Sequence, residues 1–564
     1  MTDPAGNVTF NLIDEAWIPV QRLDGSLDEL GIRDLFVQAH LLRRMSNEVP
    51  TLDFAILRVL LAVARQAVGP VEEPLDEWES LWEQEIFPAE TVDAYLGRDE
   101  IHGRFDLLDE RAPFMQTPTL ETSKNEYDSP GRLIPDIPAG HQHFTTRAGS
   151  GAAILSFAEA ARWLIHLQAY DYSGIKPGAL GDDRVKGGKG YPIGTGWAGR
   201  LGGLYLEGAN LFETLMLNLR FAELGTEEDQ DTAIWEREVP TAAATRGEVD
   251  SASAKNSTIS LSPVGDSDIF TWPSRRVRLR HDDTQVTAAL VTNGDRLLPQ
   301  NSHVFEPLSL WRDSVPQAKK LGVPVFMPRE HDPSRAAWRG LGTILGSESS
   351  EQVEGRRHET PLVLRQISSL IHKGTIDDGY LFSTVLVGFR YGPQESSFDA
   401  QYDDKLTFMA SLLSDKAEAH RQEALAAANR TDYAIRDLGD LAKNILIAGG
   451  NDRPADPTGV LAAAYFDFDH EFRSWLAKIT PDKSTGGIRV SWNHRARTLL
   501  TKHADRLMSQ ASELSLLGLQ DKDGHWMTAH TARARFDASL RKRFLSDPEV
   551  PPKSPPTAKE KANV

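Results

Sequence analysis

The sequence predicts an α+β protein: a large mixed domain with long glycine-rich loops, followed by a C-terminal helical bundle of the four-helix type. Two observations predict this division. Apolar residues alternate as in strands between positions 269 and 291, whereas they recur at helical spacing after about position 405. Antiparallel helices with apolar stripes bury them by packing as a bundle. We therefore expect a flexible N-terminus at 1–10, the mixed domain at 11–400, the bundle at 401–546 and a disordered tail at 547–564.

The mixed domain is expected to begin with extended structure over residues 11–20, followed by a long helix. Thr51 is a suitable N-cap for a helix over residues 52–68, because apolar residues then recur at helical spacing. Another helix is expected over residues 157–168. Long glycine-rich connections are usually functional or mobile, and here they flank that helix at 138–151 and 173–203.

The bundle helices are predicted from caps and apolar stripes. Thr431 or Asp432 is expected to cap a helix that Gly449 ends. The stripes on the later helices include Phe468, Phe472 and Trp475, then Trp492, Ala496 and Leu500, and finally Phe536, Leu540 and Phe544.

Composition restricts the possible functions. The 564 residues contain no cysteine, which excludes disulfides, thiolate catalysis and cysteine-based zinc sites and fits a reducing, cytoplasmic location. We find no secretory signal and no apolar run long enough to span a membrane. The formal net charge of -19 argues mildly against nucleic-acid binding, so any bound DNA requires locally clustered lysine and arginine.

Candidate catalytic motifs are weak. The segment from Lys186 to Gly190 lacks the spacing and the hydroxyl residue of a phosphate-binding loop. His331 and Asp332 form a possible metal-binding pair, but Pro333 and the helix-like run after it favour Asp332 as an N-cap. We expect no catalytic residue, no cofactor and no metal.

Basic clusters are more suggestive. Arg495, Lys502 and Arg506 recur on one face of a predicted helix, where they either form a solvated surface or contact DNA. Two other clusters lie on the last predicted helix and on a predicted strand: Arg533, Arg535, Arg541, Lys542 and Arg543, and Arg275, Arg276, Arg278 and Arg280. For the last helix the solvated surface is the favoured interpretation.

An ordered set of short motifs resembles one protein family. The chain carries Leu-Ile-Asp-x-x-Trp-Ile-Pro-Val from Leu12, Pro-Phe-Met-Gln-Thr from Pro113, Phe-Thr-Thr-Arg-Ala-Gly-Ser-Gly from Phe144, and a loop from Arg390 to Gln394. Together these resemble the large subunit (CasA family) of the type I-E CRISPR surveillance complex, Cascade. The resemblance covers essentially the whole chain apart from its two ends.

The resemblance implies a non-catalytic subunit that recognises the protospacer-adjacent motif in duplex DNA. It also implies that the subunit wedges the strands apart for pairing with the guide RNA, forming an R-loop. The expected partners are target duplex DNA, the 5′ region of the guide RNA, other Cascade subunits and a helicase-nuclease recruited after target binding. No membrane partner is expected.

The resemblance also assigns residues to these roles. Gln394 matches the wedge, and Pro393 and Glu395 flank it. The glycine loop that approaches the minor groove is matched by Gly187, Gly188 and Gly190. A basic finger falls by position at Asp295–Arg296, and Arg296 is assigned because an acidic residue cannot take that role, although the family finger is a lysine. Phe144 and Thr146 match the loop that engages the guide RNA or a neighbouring subunit.

Two alternatives remain open from the sequence. The chain could be a purely structural scaffold of a ribonucleoprotein, or a nuclease or hydrolase whose site the sequence hides. His331 would then be the first residue to test.

Overall fold

The computed structural model describes residues 8–135, 154–243, 263–346, 358–451, 456–520 and 526–544. The chain divides into two compact units, Met1–Ser414 and Asp415–Val564. The expected boundary after position 400 falls inside the strand Phe398–Met409, whose Ala400 pairs with Arg390 in the sheet. The first unit therefore continues to the end of that strand and the short turns after it. The tail predicted at 547–564, and most of the segment predicted at 1–10, lie outside the described residues.

The first unit mixes helices with antiparallel sheets, which confirms the α+β class. Its helices are α1 (Ile32–Gln38), α2 (Pro50–Val68), α3 (Pro74–Glu83), α4 (Ala89–Leu96), α5 (Asp99–His102), α6 (Phe157–Tyr170), α7 (Leu211–Asn218), α8 (Asp266–Phe270), α9 (Val315–Leu321), α10 (Leu341–Leu345) and α11 (Leu362–Lys373).

The strands of the first unit form one larger sheet and several small ones. They are β1 (Ile18–Arg22), β2 (Leu27–Leu30), β3 (Leu42–Met45), β4 (Leu155–Ser156), β5 (Lys176–Pro177), β6 (Lys189–Gly190), β7 (Gly202–Glu207), β8 (Arg275–His281), β9 (Gln285–Asn293), β10 (Ser309–Asp313), β11 (Phe326–Pro328), β12 (His358–Glu359), β13 (Leu381–Tyr391) and β14 (Phe398–Met409). The larger sheet has the order β11-β10-β7-β13-β14, with β12 also paired to β10; the smaller sheets are β2-β1-β3, β4-β9-β8 and β5-β6.

Helix α2 is buried along most of its length, and its contacts explain why its apolar sequence contains a charged residue. Arg58, which interrupts the apolar run, is buried and donates from both Nη atoms to the carboxylate of Glu306 at 2.8 and 2.9 Å. The predicted cap at Thr51 is wrong, because the helix already begins at Pro50, a residue suited to a first turn. Thr51 is instead buried inside the helix, where its Oγ1 lies 3.0 Å from His166 Nε2.

The hairpin of β8 and β9 corrects two expectations. The strand pattern expected from position 269 begins only at Arg275, because residues Asp266–Phe270 form α8. Arg275 and Arg276, expected as solvated or DNA-contacting residues, are both buried. Each is held by a buried aspartate, Asp171 or Asp295 respectively, so neither is available to a ligand.

The second unit is a helical bundle of α12 (Glu418–Ala448), α13 (Thr458–Leu476), α14 (Thr485–Ser509), α15 (Glu513–Leu517) and α16 (Ala529–Phe544), with the small hairpin β15 (Leu519–Gln520) and β16 (Trp526–Met527). The buried Trp492 packs against the rings of Phe468, Phe472 and Trp475. The expected stripes therefore face the core.

One predicted cap in the bundle is wrong. Thr431 and Asp432, the two expected caps, both lie inside α12, which begins at Glu418. The Thr431 hydroxyl donates to Ala427 O at 2.7 Å and accepts from Trp492 Nε1 at 2.9 Å. A hydroxyl satisfied in this way does not need to end the helix. Gly449 does follow the last residue of α12, as expected. Within the described parts of both units, no helix is long and apolar enough to cross a membrane.

Candidate nucleic-acid interface

The turn Gly392–Ser397, here named the wedge turn, projects from the end of the long β13–β14 hairpin. Gln394 and Glu395 have φ angles of +58° and +55°, in the left-handed region that costs a residue with a side chain about 1–2 kcal/mol. Hydrogen bonds close the turn from Gly392 N to Ser397 O and from Glu395 N to Gly392 O. Gln394 is exposed at its tip. Such strain persists only where the surroundings hold it, and it concentrates at functional sites.

Glu395 ties the wedge turn to the rest of the first unit. Its carbonyl oxygen accepts a hydrogen bond from Ser173 N at 2.8 Å. Its carboxylate lies 3.4 Å from the guanidinium of Arg200, a residue in the short turn Trp197–Arg200. The Glu395 carboxylate therefore has a cation beside it.

A second turn, Lys186–Gly190, here named the glycine turn, lies between β5 and β6 in sequence and includes both residues of β6. Lys186 and Lys189 exchange backbone hydrogen bonds at 3.1 and 3.2 Å, and Gly187 and Gly188 between them have φ of +60° and +72°. Two central residues at positive φ are typical of a type I′ turn, which favours glycine. Nothing lies within 4 Å of a Cβ built on Gly187, so this turn offers bare backbone to its surroundings, with an exposed lysine on each side.

Gly190 has a different role from its neighbours. A Cβ at this position would lie 2.9 Å from Nδ2 of Asn293, the last residue of β9. The same amide donates to Tyr191 O at 2.7 Å, and Arg184 Nη1 donates to Gly294 O at 2.9 Å. The glycine turn is thus fastened to the end of β9, where Arg296 follows.

Arg296 is a half-buried residue directly after the buried Asp295. Asp295 accepts from Arg276 at 2.8 Å, which supports its exclusion as a DNA-contacting group. The Nε of Arg296 has no hydrogen-bond partner among the described residues. Burial lowers the pKa of Arg200, Glu395 opposes this shift, and the positive charge of Arg296 lowers the pKa further. Arg200 therefore lies within electrostatic reach of both the wedge turn and Arg296.

A buried cluster of ion pairs around Asp171 holds the segments that carry the glycine turn and Arg200. Asp171 accepts from Arg275, and it also pairs with Lys176 at 2.7 Å and Arg132 at 3.0 Å. Burial alone would raise the pKa of Asp171, but the three cations lower it far below its usual value. Lys176 pairs with Gly190 in the β5–β6 hairpin, so this cluster fixes the glycine turn. Arg275 also donates to Gly194 O at 2.7 Å, beside Arg200.

The wedge turn, the glycine turn and Arg296 are therefore connected through named contacts in the first unit. We call them together the three-loop surface. Sequence reasoning missed Arg200, Asp171 and Asn293, which connect these loops. Of these three residues, only Arg200 lies within the glycine-rich segment 173–203 that was expected to be functional or mobile.

Comparison with known proteins identifies the family. Residues 11–503 match the family model of CRISPR-associated protein Cse1 (CRISPR_cse1). The chain belongs to the Cse1 family. A CasA/Cse1 protein of Thermus thermophilus is 29% identical over 386 residues, which are 64% of this chain and 68% of that protein.

Solved structures agree with this family. The crystal structure of Thermobifida fusca Cse1 is similar over 95% of this chain and 98% of its own, with 39% identity and a TM-score of 0.84. A chain of a structure described as a CRISPR RNA-guided surveillance complex has the same fold over 94% of this chain and 99% of its own, with 17% identity and a TM-score of 0.69.

Two of the residues expected to act in this Cse1 protein, Phe144 and Thr146, lie outside the described residues. On the bundle, Arg495 pairs with Glu471 at 2.7 Å, whereas Lys502 and Arg506 are exposed on the same face of α14. On the last helix, Arg533 pairs with Asp505 and Asp537, and Arg543 pairs with Asp437. These carboxylates favour the solvated-surface interpretation for α16.

The alternative metal site at His331 gains no support from its geometry. The ring is stacked on Tyr402, and its Nε2 donates to Gly203 O at 2.8 Å. Burial lowers its pKa to about 4. Asp332 accepts from Ser334 N and does not cap a helix, because the next helical turn begins at Ala337. Among the described residues, no group of three or more histidine, aspartate and glutamate residues is placed to hold a metal ion.

Proposed function

We propose that this Cse1 protein is the subunit of a type I-E Cascade complex that recognises the protospacer-adjacent motif in duplex DNA and opens the duplex beside it. The observation that carries this proposal is the three-loop surface. It joins a strained exposed glutamine, a bare glycine turn between two lysines, and a half-buried arginine in one network of contacts. We propose no catalytic step for it.

The glycine turn and Arg296 suit recognition in the minor groove. That groove presents a degenerate pattern of acceptors, so contacts there tolerate several related sequences. A turn without side chains allows the backbone of Gly187 and Gly188 to approach closely. The exposed Lys186 and Lys189 supply local positive charge that the net charge of -19 obscures. Arg296 supplies a cation at the neighbouring edge.

The wedge turn suits strand separation. A side chain inserted between base pairs unstacks them at a cost of about a few kcal/mol per step, and pairing of the target strand with the guide then replaces the lost duplex pairs. Gln394 stands at the tip of a turn whose backbone is closed by hydrogen bonds and tethered through Glu395. Pro393 restricts the turn further because its ring fixes φ.

The remaining partners complete the proposed role. We propose that the loop containing Phe144 and Thr146 engages the 5′ region of the guide RNA or a neighbouring subunit. We also propose that Lys502 and Arg506, with Arg495, contact the DNA backbone, and that a helicase-nuclease joins after target binding. The surveillance-complex chain that shares this fold supports assembly with other subunits and RNA.

The test is strand opening by the assembled complex carrying Gln394→Ala. Permanganate reactivity of thymines in the first target pairs should appear about tenfold or more slowly than with the unaltered complex, as expected for loss of an inserted group. Assembly and guide RNA content should not change. The matched control is Gln285→Ala, a glutamine at a different hairpin of the same unit. Unchanged permanganate reactivity with Gln394→Ala would contradict the wedge and favour the alternative that the chain is a purely structural scaffold.

A further inference from the structure

The side chain of Arg200 fills a space that a neighbouring glycine leaves open. It ends the short turn Trp197–Arg200, and its side chain is only 19% exposed. A Cβ at Gly194 would lie 1.5 Å from Arg200 Nη2, so only glycine at position 194 leaves room for this guanidinium. Gly194 also has φ of +103°, which a residue with a side chain rarely adopts.

The turn that carries Arg200 is anchored in the core. Trp197 Nε1 donates to Glu306 Oε2 at 2.7 Å, and the same carboxylate holds the buried Arg58 of α2. At Gly199 a Cβ would lie 2.2 Å from the hydroxyl of Tyr391, the last residue of β13. That hydroxyl donates to Tyr170 O at 2.6 Å. The short turn is therefore packed against Tyr391, the residue directly before the wedge turn.

Arg200 reaches from this anchored turn to the wedge. Its Nη2 lies 3.4 Å from Glu395 Oε2, next to Gln394. A second carboxyl is within electrostatic reach: burial raises the pKa of Glu330, Glu395 raises it further, and Arg312 and Arg200 oppose the increase. Arg200 is thus within electrostatic reach of both carboxyl groups, and without it Glu395 would lose its paired cation beside the residue proposed to enter DNA.

We propose that Arg200 is a positioning residue for strand opening, which clamps Glu395 so that Gln394 projects and the carboxylate does not repel the phosphates of the target. This inference rests on the proposed function of Gln394. It adds that the wedge depends on an ion pair to the core, and it assigns Glu395 to that pair and not to contact with the DNA motif. Gly194 is the position that admits the clamp.

The experiment compares Arg200→Gln, Glu395→Gln and the double variant in the assembled complex. Opening is measured by permanganate reactivity, and affinity for a duplex containing only the motif is measured separately. Arg200→Gln should slow opening about fivefold, as for loss of a partly exposed ion pair, while duplex affinity stays within about twofold. Glu395→Gln, on a more exposed side chain, should slow opening less. The double variant should open no more slowly than Arg200→Gln, because the repelling charge is then also gone.

Arg162→Gln is the matched control. Arg162 Nη1 lies 3.4 Å from Glu29 Oε1, with side-chain exposures of 11% and 50% that resemble those of the Arg200–Glu395 pair, 19% and 44%. It should leave opening unchanged. Slowing in the double variant that equals the product of the two single effects would overturn the clamp, as would equal effects of Arg200→Gln and Arg162→Gln.

The Gln394→Ala result separates this inference from the proposed function. If Gln394→Ala slows opening and Arg200→Gln behaves like the control, the clamp is wrong and the wedge stands. If the effects of the Arg200 and Glu395 variants are not multiplicative but Gln394→Ala has no effect, the ion pair positions another group. In that case Gln394 is not the wedge and Arg200 does not position it. Should Arg200→Gln fold poorly, Glu395→Gln removes only the more exposed partner of the pair, and an unchanged opening rate in that variant contradicts the clamp.

Discussion

The three-loop surface and the basic face of α14 both carry cations, but they hold them in different ways. In the three-loop surface the exposed groups rest on buried ions: Asp171 is held by Arg275, Lys176 and Arg132 beneath the glycine turn. On α14 the cations Lys502 and Arg506 are exposed, and Arg495 makes one half-exposed pair with Glu471.

This difference predicts that the three-loop surface positions DNA, whereas the face of α14 only attracts it. Exposed cations on a helix attract a polyanion without fixing its register, since their side chains are free to move. Backbone turns that are strained and tethered to a core instead present fixed atoms. We therefore expect variants of the first surface to change opening or stability, and variants of α14 to change mainly the salt dependence of affinity.

The largest expected effect is on the stability of the first unit. Asp171→Asn leaves Arg275, Lys176 and Arg132 without their buried anion, so the free energy of unfolding should fall by about 3–5 kcal/mol. Glu471→Gln, which breaks the half-exposed pair on the bundle, should cost at most about 1 kcal/mol. Hydrogen exchange of amides in β8, β9 and α14 measures both variants. Equal losses of unfolding free energy in the two variants would mean that the buried cluster stabilises the first unit no more than the half-exposed pair stabilises the bundle.

A second prediction concerns acid. Burial lowers the pKa of His166 to about 3, so this ring stays neutral in the folded chain while an unfolded histidine takes up a proton near pH 6.5. Stability should therefore be lost as the pH falls below 6.5, by about 3 kcal/mol at pH 4 from this group. His331 acts in the same direction, since its pKa is about 4.

Urea unfolding between pH 7 and 4 measures this effect. His166→Gln removes the titrating ring and should reduce the dependence on pH, whereas His470→Gln serves as a comparison on the bundle. An unaltered dependence in His166→Gln would show that other groups govern the acid response.

The glycine turn gives an intermediate effect. Gly188→Val places a branched side chain at φ of +72°, which costs about 1–2 kcal/mol and covers the bare backbone. Affinity for a duplex containing the motif should fall about tenfold. Gly25→Val is a suitable control, because Gly25 also has positive φ but lies in the β1–β2 turn. A Cβ at Gly25 meets nothing within 4 Å, and one at Gly188 meets only Ser123 Oγ at 3.6 Å. Equal affinity of the two variants would remove the glycine turn from the interface.

The smallest effect is expected on α14. Lys502→Glu combined with Arg506→Glu should weaken DNA binding by the complex severalfold and reduce the slope of affinity against salt by about two phosphate contacts. Opening, once DNA is bound, should be unaffected. A binding isotherm series in increasing salt measures the slope, and an unchanged slope would leave these residues as solvated surface.

Much of the fold was predictable because it depends on local patterns. The apolar stripe that contains Trp492 predicts the bundle, and the alternation between positions 269 and 291 predicts strands, which the structure begins at Arg275. The helix starts at Thr51 and Thr431 were wrong, since those hydroxyls are satisfied by groups that only the tertiary structure brings near them. The family and the positions of the candidate residues came from ordered motifs, whose assigned roles stay predictions.

The supporting network was not predictable in the same way. Arg200 and Glu395 are separated by 195 positions, and Arg275 and Asp171 by 104, so no local spacing relates them. The sequence leaves Arg275 and Arg276 as either solvated or DNA-contacting cations, because an arginine in a strand gives no sign of its buried partner. Long-range ion pairs require knowledge of which strands and turns meet.

The most direct test of the account is to find what Gln394 touches. A photoreactive amino acid placed at position 394 in the assembled complex, irradiated on target duplex, should cross-link to the nucleotides at the junction between the motif and the first target pair. The same group at position 285 should not. Cross-links from position 394 only to protein or guide RNA would contradict the claim that the wedge turn enters DNA.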